Sequence, residues 1–366
     1  MNGVPGTPAS YADSGVDVVA GERAVDLMRA SIARTHRPEV VGDVGGFAGL
    51  FDASALKDYT RPLLVTSTDG VGTKVDVARA MDRHDTIGRD LVAMVVDDLV
   101  VTGAEPLFLT DYIACGKVDP ERIAQIVSGI AAGCAAAGCA LLGGETAEHP
   151  GLMAPDEYDL AAAGTAAVEA DRMLGPHLVK AGDVLVGLPS SGLHSNGYSL
   201  ARAVLIGQDP AALGVHVAEF GRSVGEELLE PTRIYAASCL ELARSGGVHA
   251  MAHVTGGGLA ANLARVVPPG LTAVVDRASW RPLPVFDVIA TTGGVERAEM
   301  EIAFNMGVGM ILVVDPNDLA DIFTRGAAEH PFVMGQVRDS LAGDLAAAPP
   351  KGGSGGTVML VGEYRA

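Results

Sequence analysis

Apolar positions along this chain repeat at two spacings, which divide it into helices and strands. Ala24, Leu27, Met28 and Ile32 recur at helical intervals and predict a helix over residues 21–34. Apolar stretches predict two more helices at 86–102 and 120–137. Asp119 is placed to cap the second, Pro120 occupies its first turn and Gly138 ends it. Short apolar runs bounded by Gly, Pro or charged residues predict strands at 63–66, 107–113, 140–142 and 160–168. The uncharged run 160–166 suits a strand buried on both faces.

Between residues 169 and 180 the pattern breaks at Asp171, Arg172, Gly175, Pro176 and His177. Beyond it the same spacings predict strands at 184–188, 272–275, 308–314 and 359–362, with helices at 197–205, 232–245, 259–266 and 317–325. Both halves mix helix and strand, so the expected fold class is α/β (α+β), with one domain over 1–170 and another over 171–366. The first dozen residues, rich in Gly, Pro and Ser, are expected to be mobile. The run 349–356 is expected to be a flexible surface hairpin rather than a site.

Charge narrows the function. The 366 residues carry 45 acids against 26 Lys and Arg, a formal charge of −19, and only 4% are aromatic. Nucleic acid, which wants a basic groove and stacking platforms, is a poor partner for such a surface. Cys115, Cys134, Cys139 and Cys239 form no C-x-x-C pair, which predicts reduced thiols in a cytoplasmic protein. The start of the chain lacks the basic and apolar stretches of a secretory signal, so export is not expected. Residues 126–144 are nearly uncharged but built from Ala and Gly, and Gly138 interrupts them; a buried helix-to-strand passage is expected, not a membrane span.

Chemistry concentrates at glycine-flanked acids. Asp69, Gly70, Gly72, Thr73 and Lys74 follow the apolar run 62–65, a set able to hold a metal-bound polyphosphate, although the spacing fits neither a Walker A loop nor a dinucleotide fingerprint. The plainer alternative for Asp69 is an Asx turn. Asp97 and Asp98 interrupt an apolar helix, where carboxylates need partners; a cation such as Arg89 or a metal would serve. Glu145 follows Gly143 and Gly144, with Glu148 and His149 as possible plain loop residues. Asp69, Asp98 and Glu145 are therefore the candidate Mg²⁺ ligands. Ser191, His194, Ser195 and Asn196 precede a helix, where they suit an anionic group or a simple cap. His253 and the triple glycine Gly256, Gly257 and Gly258 open another helix and suggest a second phosphate cradle.

Together, Asp69-Gly70-Val71-Gly72-Thr73-Lys74, Asp90-Leu91-Val92-Ala93-Met94, Gly103-Ala104-Glu105-Pro106, Gly143-Gly144-Glu145-Thr146-Ala147-Glu148, His194-Ser195-Asn196-Gly197-Tyr198, Pro231-Thr232-Arg233-Ile234-Tyr235 and Gly307-Val308-Gly309-Met310 closely resemble the phosphoribosylformylglycinamidine cyclo-ligases, or AIR synthetases. The resemblance runs from about Ser14 to Val314. It implies ATP-dependent ring closure of formylglycinamidine ribonucleotide to aminoimidazole ribonucleotide in purine biosynthesis, with ADP and phosphate released. It also implies ATP and Mg²⁺ held by Asp69, Asp98 and Glu145, with Lys74 against the polyphosphate. Gly45, Gly46, Phe47, Ser191, His194, Ser195 and Asn196 then become substrate-side residues, joined by the triple glycine, and Lys74, His194 and His253 the candidate catalytic groups. A homodimer is implied, whose N-terminal sheets pair into a β-barrel with ATP near the interface. The family usually shows Asn-Asp where this chain has Asp97-Asp98.

Three relatives share the ATP motifs and fit less well. Selenophosphate synthetase looks for a reactive Cys or selenocysteine near its start, whereas the first cysteine here is Cys115. The hydrogenase-maturation relative ends in a cysteine, whereas this chain ends Glu363-Tyr364-Arg365-Ala366. Thiamine monophosphate kinase lacks the 194–198 stretch. A small-molecule kinase of this superfamily and a non-catalytic nucleotide-binding protein stand as alternatives.

Overall fold

A computed structural model describes residues 18–43, 45–353 and 355–365. The first dozen residues, expected to be mobile, lie outside the described residues. The first half runs α1 (Val18–Ala33), β1 (Val40–Val41), β2 (Leu50–Phe51), β3 (Pro62–Gly70), α2 (Lys74–Ala80), α3 (Ile87–Val100), β4 (Glu105–Cys115), α4 (Pro120–Ala137), β5 (Ala140–Glu148) and β6 (Tyr158–Glu169). The second runs β7 (Val184–Pro189), α5 (Tyr198–Leu205), β8 (His216–Val217), β9 (Arg222–Ser223), α6 (Val224–Leu228), α7 (Ala236–Ser245), β10 (Val248–His253), α8 (Gly258–Leu263) and β11 (Leu271–Asp276). It ends with α9 (Pro284–Gly293), α10 (Arg297–Ala303), β12 (Val308–Val314), α11 (Leu319–Arg325), β13 (Phe332–Asp339) and β14 (Thr357–Val361).

Helix α4 forms where its punctuation predicts: the Asp119 side chain accepts from the Arg122 N–H at 3.0 Å, and Gly138 closes the helix at φ +74°. It leads directly into β5, and no helix of the described residues is long and apolar enough to cross a membrane. The first sheet has the order β3-β6-β4-β5, antiparallel except for the β4–β5 pair. The single chain holds an open sheet rather than a closed barrel.

One face of this sheet is covered by α3, whose Leu91, Val92, Val95, Val96 and Leu99 are at most 1% exposed. The sheet lies on one flank of α3 and α4 and α7 on others, so nearly the whole helix is buried, with Arg89 left exposed. The opposite sheet face is more open, with Leu64 66% and Tyr112 43% exposed. Over residues 160–166 strand β6 is therefore buried on one face; Ala161, Ala163 and Thr165 are half-buried, short of the expectation for both faces.

The second sheet has the order β10-β12-β7-β13-β11-β14, antiparallel up to the parallel β11–β14 edge. Every residue of β12 is buried, as its unbroken apolar run requires. Helix α7 begins at Ala236, not near Thr232, because residues 232–235 direct their backbone into side chains of α3. The two halves are thus joined through α3.

Candidate active site

Strand β3 continues through Asp69 and Gly70, and a short turn then delivers Lys74 at the start of α2. The Gly70 N–H donates to Asp69 Oδ1 at 2.8 Å. Lys74 is 0% exposed; its Nζ donates to Asp90 Oδ1 at 2.8 Å and to the carbonyls of His194 and Glu230 at 3.0 and 2.7 Å. An ammonium has three protons, and all three are engaged. Asp90 Oδ1 also accepts the Thr232 N–H and hydroxyl, at 2.7 and 2.6 Å. The expectation of Lys74 against a polyphosphate is therefore corrected: it is an internal tie between the halves, because the start of α2 faces α3 and the 190s loop instead of solvent.

Asp90 and Asp97 stand seven residues apart on α3 and so share one face. Asp97, fully buried, accepts the Tyr235 N–H at 3.0 Å at the head of α7 rather than pairing with Arg89. Its Oδ2 has no partner, and burial pushes its carboxyl up to about 7. Its neighbour Asp98 turns the other way and meets His253 Nδ1 at 2.8 Å, at the end of β10.

Electrostatics bind Asp69, Asp98 and His253 into one cluster. Burial works against the charge on His253, but the hydrogen bond it donates to Asp98 and the charges of Asp97, Asp98 and Asp69 outweigh it and raise the imidazole above its ordinary value. Its Nε2 is buried without a partner. Asp98 shows the reciprocal effect: burial favours its neutral form, yet His253, Arg265 and Lys351 hold it below the usual range. Asp69 is raised, first by burial and then by the charge of Asp98.

His194 lies beside this cluster in a left-handed conformation, φ +63°, and is 1% exposed. Its Nε2 accepts the Ser191 N–H at 3.2 Å, which leaves Nδ1 to carry the proton, buried and unpartnered. Burial, then the positive charges of His253, Lys74 and Arg233, keep the ring neutral by holding it well below its ordinary value. Ser191 Oγ donates to the Pro231 carbonyl at 2.7 Å, and Ser195 shares a hydroxyl bond with Thr232 at 3.1 Å. Neither Ser195 nor Asn196 caps α5; Gly197 does so, at φ +76°, without a side-chain bond.

Asn196 reaches the triple glycine: a Cβ on Gly256 would sit 3.3 Å from its Oδ1. Packing alone demands Gly258, whose Cβ would lie 1.7 Å from the Glu301 carbonyl. The Asn262 amide ties this turn together by donating to the carbonyls of Thr255 and Gly258 at 3.0 and 2.8 Å.

Glu145 is placed elsewhere. Strand β5 does not stop at Leu142 but runs through Gly143, Gly144 and Glu145, and Gly144 is required because a Cβ there would meet Asp111 Oδ1 at 1.7 Å. Glu145 pairs with Tyr112, which pairs with Ala161, which pairs with Gly70. Three inter-strand steps, roughly 14 Å, therefore separate it from the Asp69 end of β3. It lines a groove of about 1060 Å³ with Gly45, Gly46, Phe47, Asp111 and α1. The expectation that Asp69, Asp98 and Glu145 converge is corrected for the single chain; Glu145 shares its groove with Gly45, Gly46 and Phe47 instead. Among the described residues no three His, Cys, Asp or Glu side chains gather to hold a metal ion. Glu148 and His149 serve locally, the first accepting the Val118 N–H at 2.7 Å and the second bonding the Tyr112 hydroxyl at 3.2 Å.

Two residues were given no role of their own in the sequence reading. Asp90 carried a usable signal, an acid in an apolar helix; Lys351, in a run expected to be inert, carried none. The loop around Lys351 packs on α8, and its charge is felt by both Asp69 and Asp98.

The model of the N-terminal domain of AIR synthase related proteins matches residues 51–168, and that of their C-terminal domain residues 180–345. The phosphoribosylformylglycinamidine cyclo-ligase of Geobacillus kaustophilus is 50% identical over 330 residues, 90% of this chain and 95% of that protein. Among solved structures, thiamine-monophosphate kinase from Stenotrophomonas maltophilia aligns with TM-score 0.63 at 20% identity, over 92% of this chain and 95% of that one. The hydrogenase maturation protein HypE in complex with ATP aligns with TM-score 0.56 at 19% identity, over 92% and 91%. At such identities these two structures share the fold alone.

Proposed function

This chain belongs to the AIR synthase related family, and we propose that it is a phosphoribosylformylglycinamidine cyclo-ligase, using ATP to close the imidazole ring of aminoimidazole ribonucleotide in purine biosynthesis. A formyl amide oxygen is a poor leaving group. In the first step this oxygen attacks the γ-phosphorus of ATP and ADP departs. The amidine nitrogen then attacks the activated carbon and loses a proton, and phosphate leaves with the electron pair of the C–O bond. Positioning and charge neutralisation supply most of the acceleration in such chemistry.

The observation that supports this reading best is the Asp69, Asp98 and His253 cluster set beside neutral His194 at the junction of the halves. His253, its Nδ1 fixed by Asp98, offers Nε2 to a phosphoryl oxygen; His194 offers its Nδ1–H, and Asn196 orients the substrate near Gly256. Asp69 and Asp98 are oxygen donors of the kind Mg²⁺ takes together with substrate phosphates. The ion would supply charge neutralisation on the polyphosphate.

The reading includes domains at 1–170 and 171–366, a cytoplasmic location and a homodimer. The open face of the first sheet, bearing Leu64 and Tyr112, supports pairing with a second copy. Such pairing is what would carry the Glu145 groove of one copy to the acid pair of the other.

ADP release measured with and without formylglycinamidine ribonucleotide tests the assignment. Release that depends on this substrate, with one aminoimidazole ribonucleotide per ADP, is expected. ADP release that ignores it but responds to another acceptor would make the protein a kinase, and ATP binding without turnover would make it a binder.

A further inference from the structure

With Lys74 walled off, the acid cluster lacks the cation that the start of α2 was expected to bring. Lys351 lies past residue 345, where the match to the C-terminal family model ends, in the β13–β14 connection. That connection is clamped down. The Lys351 N–H donates to the Ala261 carbonyl at 3.1 Å, the Gly356 N–H to Val267 at 2.6 Å and the Ala347 N–H to Val358 at 2.8 Å. The side chain then runs over the glycine turn: a Cβ on Gly257 would be 3.9 Å from Lys351 Cδ, and Nζ ends 3.5 Å from Thr255 Oγ1.

We propose that Lys351 forms a binding subsite for a phosphate group of the bound ligand above the Thr255–Gly257 turn. Asp98 feels the charge of Lys351, yet Lys351 forms no ion pair with it or with any other described carboxylate. The Lys351 side chain is thus not tied up by a carboxylate, and it stands beside two acids that would repel an anion. In a chain of net charge −19 a local cation of this kind is what lets a polyphosphate approach. Thr255, 7% exposed and on the same turn, adds a hydroxyl within reach of the same oxygens.

The proposal deepens the ATP-dependent ring-closure reading and rests on it for the identity of the ligand: the phosphate is that of ATP or that of the ribonucleotide. The full-length protein with Lys351→Gln and Lys351→Arg tests it. For the Gln variant, KM for one of the two substrates is expected to rise about tenfold with kcat within twofold, and the Arg variant is expected to recover most of the loss. Which KM moves identifies the source of the phosphate. A calorimetric titration with Mg²⁺ and adenosine 5′-(β,γ-imido)triphosphate, repeated with inorganic pyrophosphate, gives a readout independent of turnover. Both KM values and both probe affinities within twofold of wild type would overturn the proposal, as would a fall in kcat alone. A wild-type protein that fails to turn over but binds a probe, with that binding lost in the Gln variant, would overturn the reaction and keep the subsite.

Discussion

Replacing Asp97 by Asn isolates the energetic consequence of one buried carboxylate. In the folded chain burial holds this group near pH 7, against an ordinary value of 3.8. At 1.36 kcal/mol per pH unit, ionising it in place costs about 4 kcal/mol more than ionising it in the unfolded chain. An acid whose folded value lies above its unfolded one contributes most below the unfolded value, and that contribution is lost as pH rises through the folded one. Wild-type stability should therefore fall between pH 5 and pH 8 by roughly 3 kcal/mol more than that of Asp97→Asn. The Asn oxygen keeps the acceptor for the Tyr235 N–H. The favourable charge lost at the head of α7 is worth only about 0.3–1 kcal/mol. Urea unfolding of both proteins at pH 5, 6, 7 and 8 measures the gap directly. A gap that stays constant with pH, or a variant less stable than wild type at pH 8, would refute the reasoning.

Asp98→Asn should lower turnover at least tenfold, about 1.4 kcal/mol of barrier, with an unchanged circular dichroism spectrum. Because Asp98 helps raise His253, the pH at which that imidazole loses its proton should also move down, visible by NMR; a near-normal rate removes Asp98 from the site. Lys74→Met strands Asp90 in the interior and should cost about 3–5 kcal/mol in urea unfolding. Unchanged stability with a raised KM for ATP would instead restore Lys74 to the phosphates. Gly309→Ala would place a Cβ 2.1 Å from the Tyr235 hydroxyl and 2.6 Å from His194 Cε1, so turnover should fall at least tenfold; wild-type rates would show that His194 tolerates displacement. Glu145→Gln, at an exposed position, should leave stability within about 0.5 kcal/mol and reduce turnover tenfold, and a normal rate would confine Glu145 to its groove.

Where local rules dominate, the chain was legible. Helix α4 carries its own start and stop signals, and β12 its own apolar run, and both formed at the expected residues. Strands β10 and β13 and helices α9 and α10 left weaker marks: Val248–His253 is mostly Ala, His and Met, which have no strong strand preference, and only pairing with β12 fixes it as a strand. Asp69, Asp98, His253, His194 and Asn196 could be named from sequence because acids and imidazoles beside glycines or inside apolar runs need a reason. Their partners could not. Whether Lys74 meets a phosphate or Asp90 depends on which way α2 enters the junction, and whether Glu145 meets Asp69 depends on a strand order that places two strands between them.

The Lys74 ammonium draws on three stretches of chain far apart in sequence, at Asp90, His194 and Glu230, in a place shut off from the surface. A hinge between the halves would have to break these charged hydrogen bonds in the buried interior, which disfavours a swing of one sheet against the other. Ligand entry and product escape then cannot rely on such a swing, and fall to local rearrangements at the surface.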